Sequence, residues 1–261
     1  MRIRVAVAAG VLLATQTAVA AAQRTGDRAQ LVFTISGAYI DGKGLWAVPN
    51  QSLQEGGFQT DLALSRSIQN TIGAALAATY YPANNFGLSA EAFLLGLGYD
   101  DSCRVTSSDN SARIVQVCAN IDQQDKSAAA AAFTVGGILR VASRELISPF
   151  ARASVGLAVT NQSSLLTEGV ASNGALLAIY EDDAGTRVRP TFGLGLGATM
   201  VLSRGYHLRW EVRDNIVGIE RVTGPTTGLS QNPPHETARK HLFSVLLGLD
   251  VILERQRGRR Y

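Results

Sequence analysis

Polar and apolar residues alternate at period two along much of this chain, most clearly in its last long stretch. From His241 to Glu254, Phe243, Val245, Leu247, Leu249, Val251 and Leu253 share one face, and Ser244, Gly248, Asp250 and Glu254 share the other. Period two marks a β-strand with two unlike faces. The same alternation predicts strands near 28–40, 70–82, 86–100, 128–142, 148–160, 187–203, 206–221 and 241–254. Residues 58–68 also alternate, and are read as an extension of the second strand, because a ninth spanning strand breaks the even count.

The connections alternate too. Pro82-Ala83-Asn84-Asn85, Ser143-Arg144-Glu145-Leu146 and Ser203-Arg204-Gly205 are tight turns, built of residues that favour turn geometry. Long polar segments near 41–69, 101–127, 161–186 and 222–240 lie between them. Every short turn joins an even strand to the next odd one, so all short turns fall on one side and all long loops on the other. That asymmetry predicts an all-β, up-and-down antiparallel transmembrane β-barrel of eight strands.

Alternation then sorts the side chains. In the seventh strand Leu208, Trp210 and Val212 point one way and His207, Arg209, Glu211 and Arg213 the other. Phase-matching the other strands gives an inner face carrying Glu91, Arg140, Arg152, Arg187, Arg189, Arg209, Glu211, Arg213, Asp250 and Glu254, with Gly and Ser between. An eight-stranded barrel has room inside only for side chains, so these groups are expected to form a network of ion pairs. Asp214 breaks the scheme: it faces lipid unless the membrane ends there or a bulge resets the register. Tyr80, Tyr81, Phe150 and Tyr206 flank the short turns, and Tyr39 and Tyr99 approach the long loops, as an interfacial aromatic girdle requires.

Composition narrows the class. The chain has 261 residues, 26 of them Gly, with 46% hydrophobic and 17% charged residues, too apolar for disorder. A scattered net charge of +3 gives no indication of nucleic-acid binding. The start reads as a signal peptide, residues 1–22: Arg2 and Arg4, an apolar run from Val5 to Thr15, then Ala18-Val19-Ala20 or Ala20-Ala21-Ala22 for cleavage. The barrel domain is then 23–254, followed by a basic tail at 255–261.

Cys103 and Cys118 both lie in the long segment 101–127. In an exported protein such a pair reads as a disulfide. Candidate chemistry is sparse. His207 shares the inner face with Glu211, His235 sits in a Pro-Pro-His-Glu loop, and His241 precedes Ser244 by three, on the opposite face of a strand. No catalytic, cofactor or metal motif is apparent, and the expectation is a protein that is not an enzyme.

The signal-like start, the Gly-Leu-Gly segments at 96–98 and 193–197, the Leu-Gly-Leu-Asp-Val of the last strand and the terminal Tyr261 together resemble the small outer-membrane barrels of the OmpA, OmpX and OmpW type. The chain departs from them in the run Arg255-Gln256-Arg257-Gly258-Arg259-Arg260 before Tyr261, since such families usually end on the aromatic residue that closes the last strand. The resemblance implies an outer-membrane location, outer-membrane lipid and the assembly machinery as partners, a monomer, and no cofactor. The expected function is a structural or interaction role through the long loops, with a narrow passive channel for ions or small molecules as the alternative and a membrane-embedded lipid hydrolase or acyltransferase behind both.

Overall fold

A computed structural model describes residues 29–253 other than 83, 109, 124, 144, 161–162, 172, 183–187, 204 and 227–230. The signal segment, Arg187, Glu254 and the basic tail therefore lie outside the described residues. Along the chain run β1 (Gln30–Ile40), β2 (Gly44–Glu55), β3 (Phe58–Ile68), β4 (Thr71–Tyr81), β5 (Phe86–Val105), α1 (Ala112–Gln123), β6 (Asp125–Arg140), β7 (Ile147–Thr160), β8 (Thr167–Val170), β9 (Leu176–Tyr180), β10 (Val188–Ser203), β11 (Tyr206–Val222) and β12 (His235–Leu253).

The sheet closes on itself. Its order is β2-β3-β5-β4-β1-β12-β11-β10-β7-β6, and β5 also pairs with β6. Removing β2 and β3, which hang on the edge, leaves a ring of eight antiparallel strands: β1, β4, β5, β6, β7, β10, β11 and β12. Closure pairs both edges of every ring strand, which a bilayer demands because it offers the backbone no other hydrogen-bonding partner. The chain has the eight-stranded up-and-down fold that the alternation predicts.

The segment 58–68 is an extension. Within β5, Leu88–Leu95 pair with Tyr80–Gly73 of β4, and the following stretch, Tyr99–Val105, pairs with Ile68–Leu62 of β3. The strand is interrupted near Gln69 and Asn70 and resumes above the ring. There β3 turns back into β2 through Gly56 and Gly57, whose positive φ angles of 60° and 86° a tight hairpin turn requires. The last strand is longer than expected: β12 begins at His235 and pairs with β11 out to Val222.

The faces follow the alternation. Phe33, Ile35, Leu76, Leu94, Phe133, Leu194, Trp210, Val245 and Leu247 are exposed on the outer wall, an apolar belt that only a nonaqueous environment suits. Of the six ring residues read as a girdle, Tyr39, Tyr80 and Tyr206 are about half exposed on that wall. Tyr81, Phe150 and Tyr99 are buried and belong to the interior, which corrects the girdle reading. The physical reason is the alternation itself: Tyr80 and Tyr81 are neighbours and cannot both face out, and Phe150 shares the phase of Arg152.

Asp214 also finds its explanation. The β10–β11 register runs unbroken from Thr191↔Val217 to Val201↔His207, so no bulge resets it, and Asp214 stands outward between Leu194 and Phe243. Eight residues beyond Tyr206, at about 3.3 Å each and a tilt of about 40°, it lies roughly 20 Å up an apolar band about 25 Å tall. The membrane's outer boundary is thus close above it, and its Oδ2 is held by His241 Nδ1 at 2.7 Å.

Candidate functional site

Two layers fill the interior. The lower one is charged. Glu91 of β5 accepts from Arg152 Nη1 of β7 at 2.7 Å and from Arg213 Nη1 and Nη2 of β11 at 2.6 and 3.1 Å. Glu211 accepts from Arg213 Nε and from Arg209 Nη2, each at 2.9 Å. Asp250 of β12 lies 4.0 Å from Arg209 and accepts from Thr34 Oγ1 at 2.6 Å. The result is a chain of alternating charges across the lumen, Arg152–Glu91–Arg213–Glu211–Arg209–Asp250, with every member buried. Paired charges at such depth hold their geometry because any unpaired one bears its full desolvation cost.

Gly195 makes the arrangement possible. In the register it sits between Arg152 and Arg213, and a Cβ added there would collide with Glu211 Oε1. A bare backbone at this point lets the carboxylate lie against the wall while both guanidinium groups reach inward. Aromatic rings complete the layer: Arg140 lies 3.6 Å from the Tyr81 ring centroid and Arg209 lies 4.1 Å from that of Phe150. Those cation–π contacts are the interior use of the two rings. Arg140 Nε also donates to the Asn84 carbonyl at 3.1 Å, near the short-turn end.

Of the remaining residues read as lumenal, Arg189 pairs with Glu220 at 2.5 Å near the long-loop end and is only partly buried. It stands apart from the central chain. His207 lies opposite Asp250 in the β11–β12 register.

The upper layer is apolar and joins the loops. Ile40, Phe93, Leu242 and Leu246 of the barrel pack in one core with Leu45, Trp46, Leu62 and Leu64 of the β2–β3 hairpin, with Ile114, Val117 and Ile121 of α1, and with Leu165, Ile179 and Tyr180 around the β8–β9 hairpin. Apart from 58–68, read as an extension of the second strand, the sequence presents these segments as polar loops. The helix was legible: Ile114, Val117, Cys118 and Ile121 repeat at helical spacing behind Ser111, a residue type that caps helix starts. Gly169 of β8 lets the helix approach, since a Cβ there would lie 2.7 Å from the Val117 carbonyl oxygen.

Polar contacts lock the cap together. Arg66, fully buried, is gripped by Asp101 through Nε at 2.5 Å and Nη2 at 2.7 Å, and donates to the Leu166 carbonyl at 2.6 Å. Trp46 Nε1 donates to the Ser164 carbonyl at 3.0 Å. Gln51 accepts from the Tyr180 hydroxyl at 3.0 Å and from the Thr226 amide at 2.8 Å, which brings three of the four long segments to one side chain. Burial pushes the Tyr180 phenol well above the ordinary tyrosine value. The fourth segment, carrying α1, is tied to β5 by the Cys103–Cys118 disulfide. Arg66 and Asp101 were missed because a charged pair within a loop reads as solvated in sequence.

Of the remaining histidines, His235 Nδ1 lies 3.0 Å from the Pro233 carbonyl oxygen. Among the described residues no three His, Cys, Asp or Glu side chains gather as a metal site would need.

The architecture defines a class of protein, the small eight-stranded outer-membrane-type β-barrels, and comparison with solved structures points to the same fold. The outer membrane protein OprG from Pseudomonas aeruginosa superposes with a TM-score of 0.51 at 11% identity, over 87% of this chain and 97% of that one. Neisserial surface protein A gives 0.43 at 9% identity, over 87% and 99%. The attachment invasion locus protein Ail of Yersinia pestis gives 0.39 at 12%, over 86% and 99%. No family model matches the chain, and no curated protein matches it significantly.

Proposed function

We propose that this protein is a resident of an outer membrane that works as a sealed barrel, presenting a rigid head beyond the membrane for interaction with an external partner. The observation that carries this reading is the pair of layers across the interior, the buried Arg152–Glu91–Arg213–Glu211–Arg209 chain and, above it, the apolar core shared with β2, β3, α1, β8 and β9. A conduit needs a wet path, and a layer of paired charges beneath an apolar plug opposes one. A head whose four connections converge on shared side chains suits recognition, because an ordered surface loses little entropy on binding. In this reading the protein acts as a monomer and is not an enzyme. Support for the latter comes from the placement of His241 on the outer wall beside Asp214, while Ser244 faces the lumen within reach of Asn215 and Arg213.

The test uses the folded barrel in lipid nanodiscs, assayed for binding to immobilised extracellular-matrix proteins and sulfated glycans. The expected result is a ligand bound by wild type and lost in Trp46→Ala, which uncouples the cap from Ser164 while leaving the ring intact. Binding insensitive to that change, or absent for every surface while the barrel passes ions, overturns the interaction reading in favour of a narrow channel.

A further inference from the structure

The charged layer leaves one side of the lumen with donors to spare. Arg152 is buried and its Nη1 donates to Glu91, but its Nε and Nη2 are buried without a hydrogen-bond partner among the described residues. Those two N–H groups form one edge of the guanidinium, the fork that takes an anion side-on. Arg66 shows the same edge in use, gripping Asp101 through Nε at 2.5 Å and Nη2 at 2.7 Å. Glu91 does not serve the Arg152 fork, and it is shared with Arg213, from which both its oxygens accept.

Three hydroxyls on the neighbouring strands are in the same condition. Thr79 Oγ1, Ser89 Oγ and Thr134 Oγ1 are each buried without a hydrogen-bond partner among the described residues. The register gathers them: Thr79 stands opposite Ser89, Ser89 opposite Gly136, and Thr134 opposite Glu91, the carboxylate that Arg152 reaches across β6 to meet. Small residues continue along this part of the inner wall, with Gly136 between Ser89 and Ser154 and Gly193 beyond Ser154. A bore that bulky side chains would fill keeps room where the side chains are this small. Toward the short turns stand Ile138, opposite Arg152, and the Tyr81 ring, which lies so close over Gly87 that a Cβ there would be 2.6 Å from it.

We propose that this part of the lumen is a binding site for one small inorganic anion, chloride, held on the Nε–Nη2 fork of Arg152 and by the hydroxyls of Ser89, Thr134 and Thr79. Donor chemistry fixes the sign of the occupant: guanidinium N–H groups only donate, and each hydroxyl rotates to donate as well. Charge agrees with it. Among the described residues the lower layer holds Arg140, Arg152, Arg209 and Arg213 against Glu91, Glu211 and Asp250, four cations to three carboxylates, and a buried excess of one charge is costly until it is countered. The narrow bore sets the size, favouring a monatomic ion over a polyatomic one. Water is the other small acceptor, but it brings no charge. The ion is a structural ligand, enclosed as the barrel closes, and its site concerns the lower layer alone, so it stands whether or not the head binds a partner.

The test is to refold the full barrel with bromide as the sole halide, crystallise it, and locate bromide by its anomalous scattering. One peak is expected within hydrogen-bonding reach of Arg152 Nε and Nη2. In parallel, heat conversion to the slower-migrating unfolded form is followed on a denaturing gel for barrels refolded in chloride and in gluconate at equal ionic strength. The midpoint for wild type should be higher in chloride by about 2 to 4 °C, the shift that modest stabilisation by one bound ligand gives a chain of this length. That difference should vanish in the double variant Ser89→Ala, Thr134→Val, which removes two hydroxyls and no charge, and Thr134→Val alone serves where the double variant does not fold. No anomalous peak at Arg152 overturns the site, whether the position holds water or nothing. A chloride dependence equally large in the hydroxyl variants is a general salt effect and overturns the assigned contacts.

Discussion

Glu91 is the residue on which the interior turns, because it accepts from arginines on two separate strands at once. Replacing it with alanine leaves Arg152 and Arg213 buried without their shared counter-charge, and such a loss costs about 3 to 5 kcal/mol. The expected outcome for Glu91→Ala is a barrel that converts to its slower-migrating unfolded form at a distinctly lower temperature or urea concentration than wild type. Gly195→Val should be at least as damaging for a different reason, since the added side chain occupies the position of the Glu211 carboxylate. These residues were readable from sequence, because a charge at period two among Gly and Ser within an apolar strand has nowhere to go but inward. Which carboxylate meets which arginine was not readable: that depends on the register between strands, and Arg152 and Glu91 are brought together by strands far apart in the chain.

The elements outside the ring divide by how their signal competes with polarity. Strand β3 was legible from the alternation of residues 58–68, and its partner β5 simply runs farther than its apolar stretch suggests. Helix α1 had its spacing but was embedded among polar residues, and the short strands β8 and β9 are too brief for periodicity to register. The cap as a whole was hidden because its polar groups are satisfied by one another, as Arg66 is by Asp101, rather than by water. The Cys103–Cys118 link closes a short loop of the chain, worth about 3 kcal/mol when the entropy of the open loop is counted. Cys103→Ser with Cys118→Ser should therefore raise amide exchange across α1 and β8 while leaving the barrel strands protected. Tyr180 adds a pH dependence at this scale. Its phenol is raised by burial above the ordinary value of 10.0, so the folded cap holds this proton more tightly than the unfolded chain does. The contribution is intact below about pH 10 and falls as pH rises past it. Absorbance at the phenolate band should show a tyrosine that ionises well after the exposed ones, that is missing from Tyr180→Phe, and that ionises normally once the cap is unfolded.

At the scale of the whole molecule, the eight-stranded ring was legible because two independent patterns agreed: alternation along each strand and the strict exchange of short turns with long connections. The position of the membrane was less so, since Asp214 and the aromatic residues needed the register before they could be placed. With the register known, the outward belt, the charged lumen and the apolar cap stack as three zones along one axis, and each explains a property of its neighbours. The belt forbids unpaired strand edges, the small bore brings charges close enough to pair, and the cap packs over the long-loop end.

The most direct test of that account is single-channel conductance of the purified, folded barrel in a planar bilayer. No steady conductance above background is expected for wild type, with steps emerging only when both layers are opened, as in Glu91→Ala combined with Trp46→Ala under conditions where the barrel stays folded. Stable conductance in wild type, of similar size in preparations whose gel shift shows them fully folded, would contradict the sealed interior on which the proposed function rests.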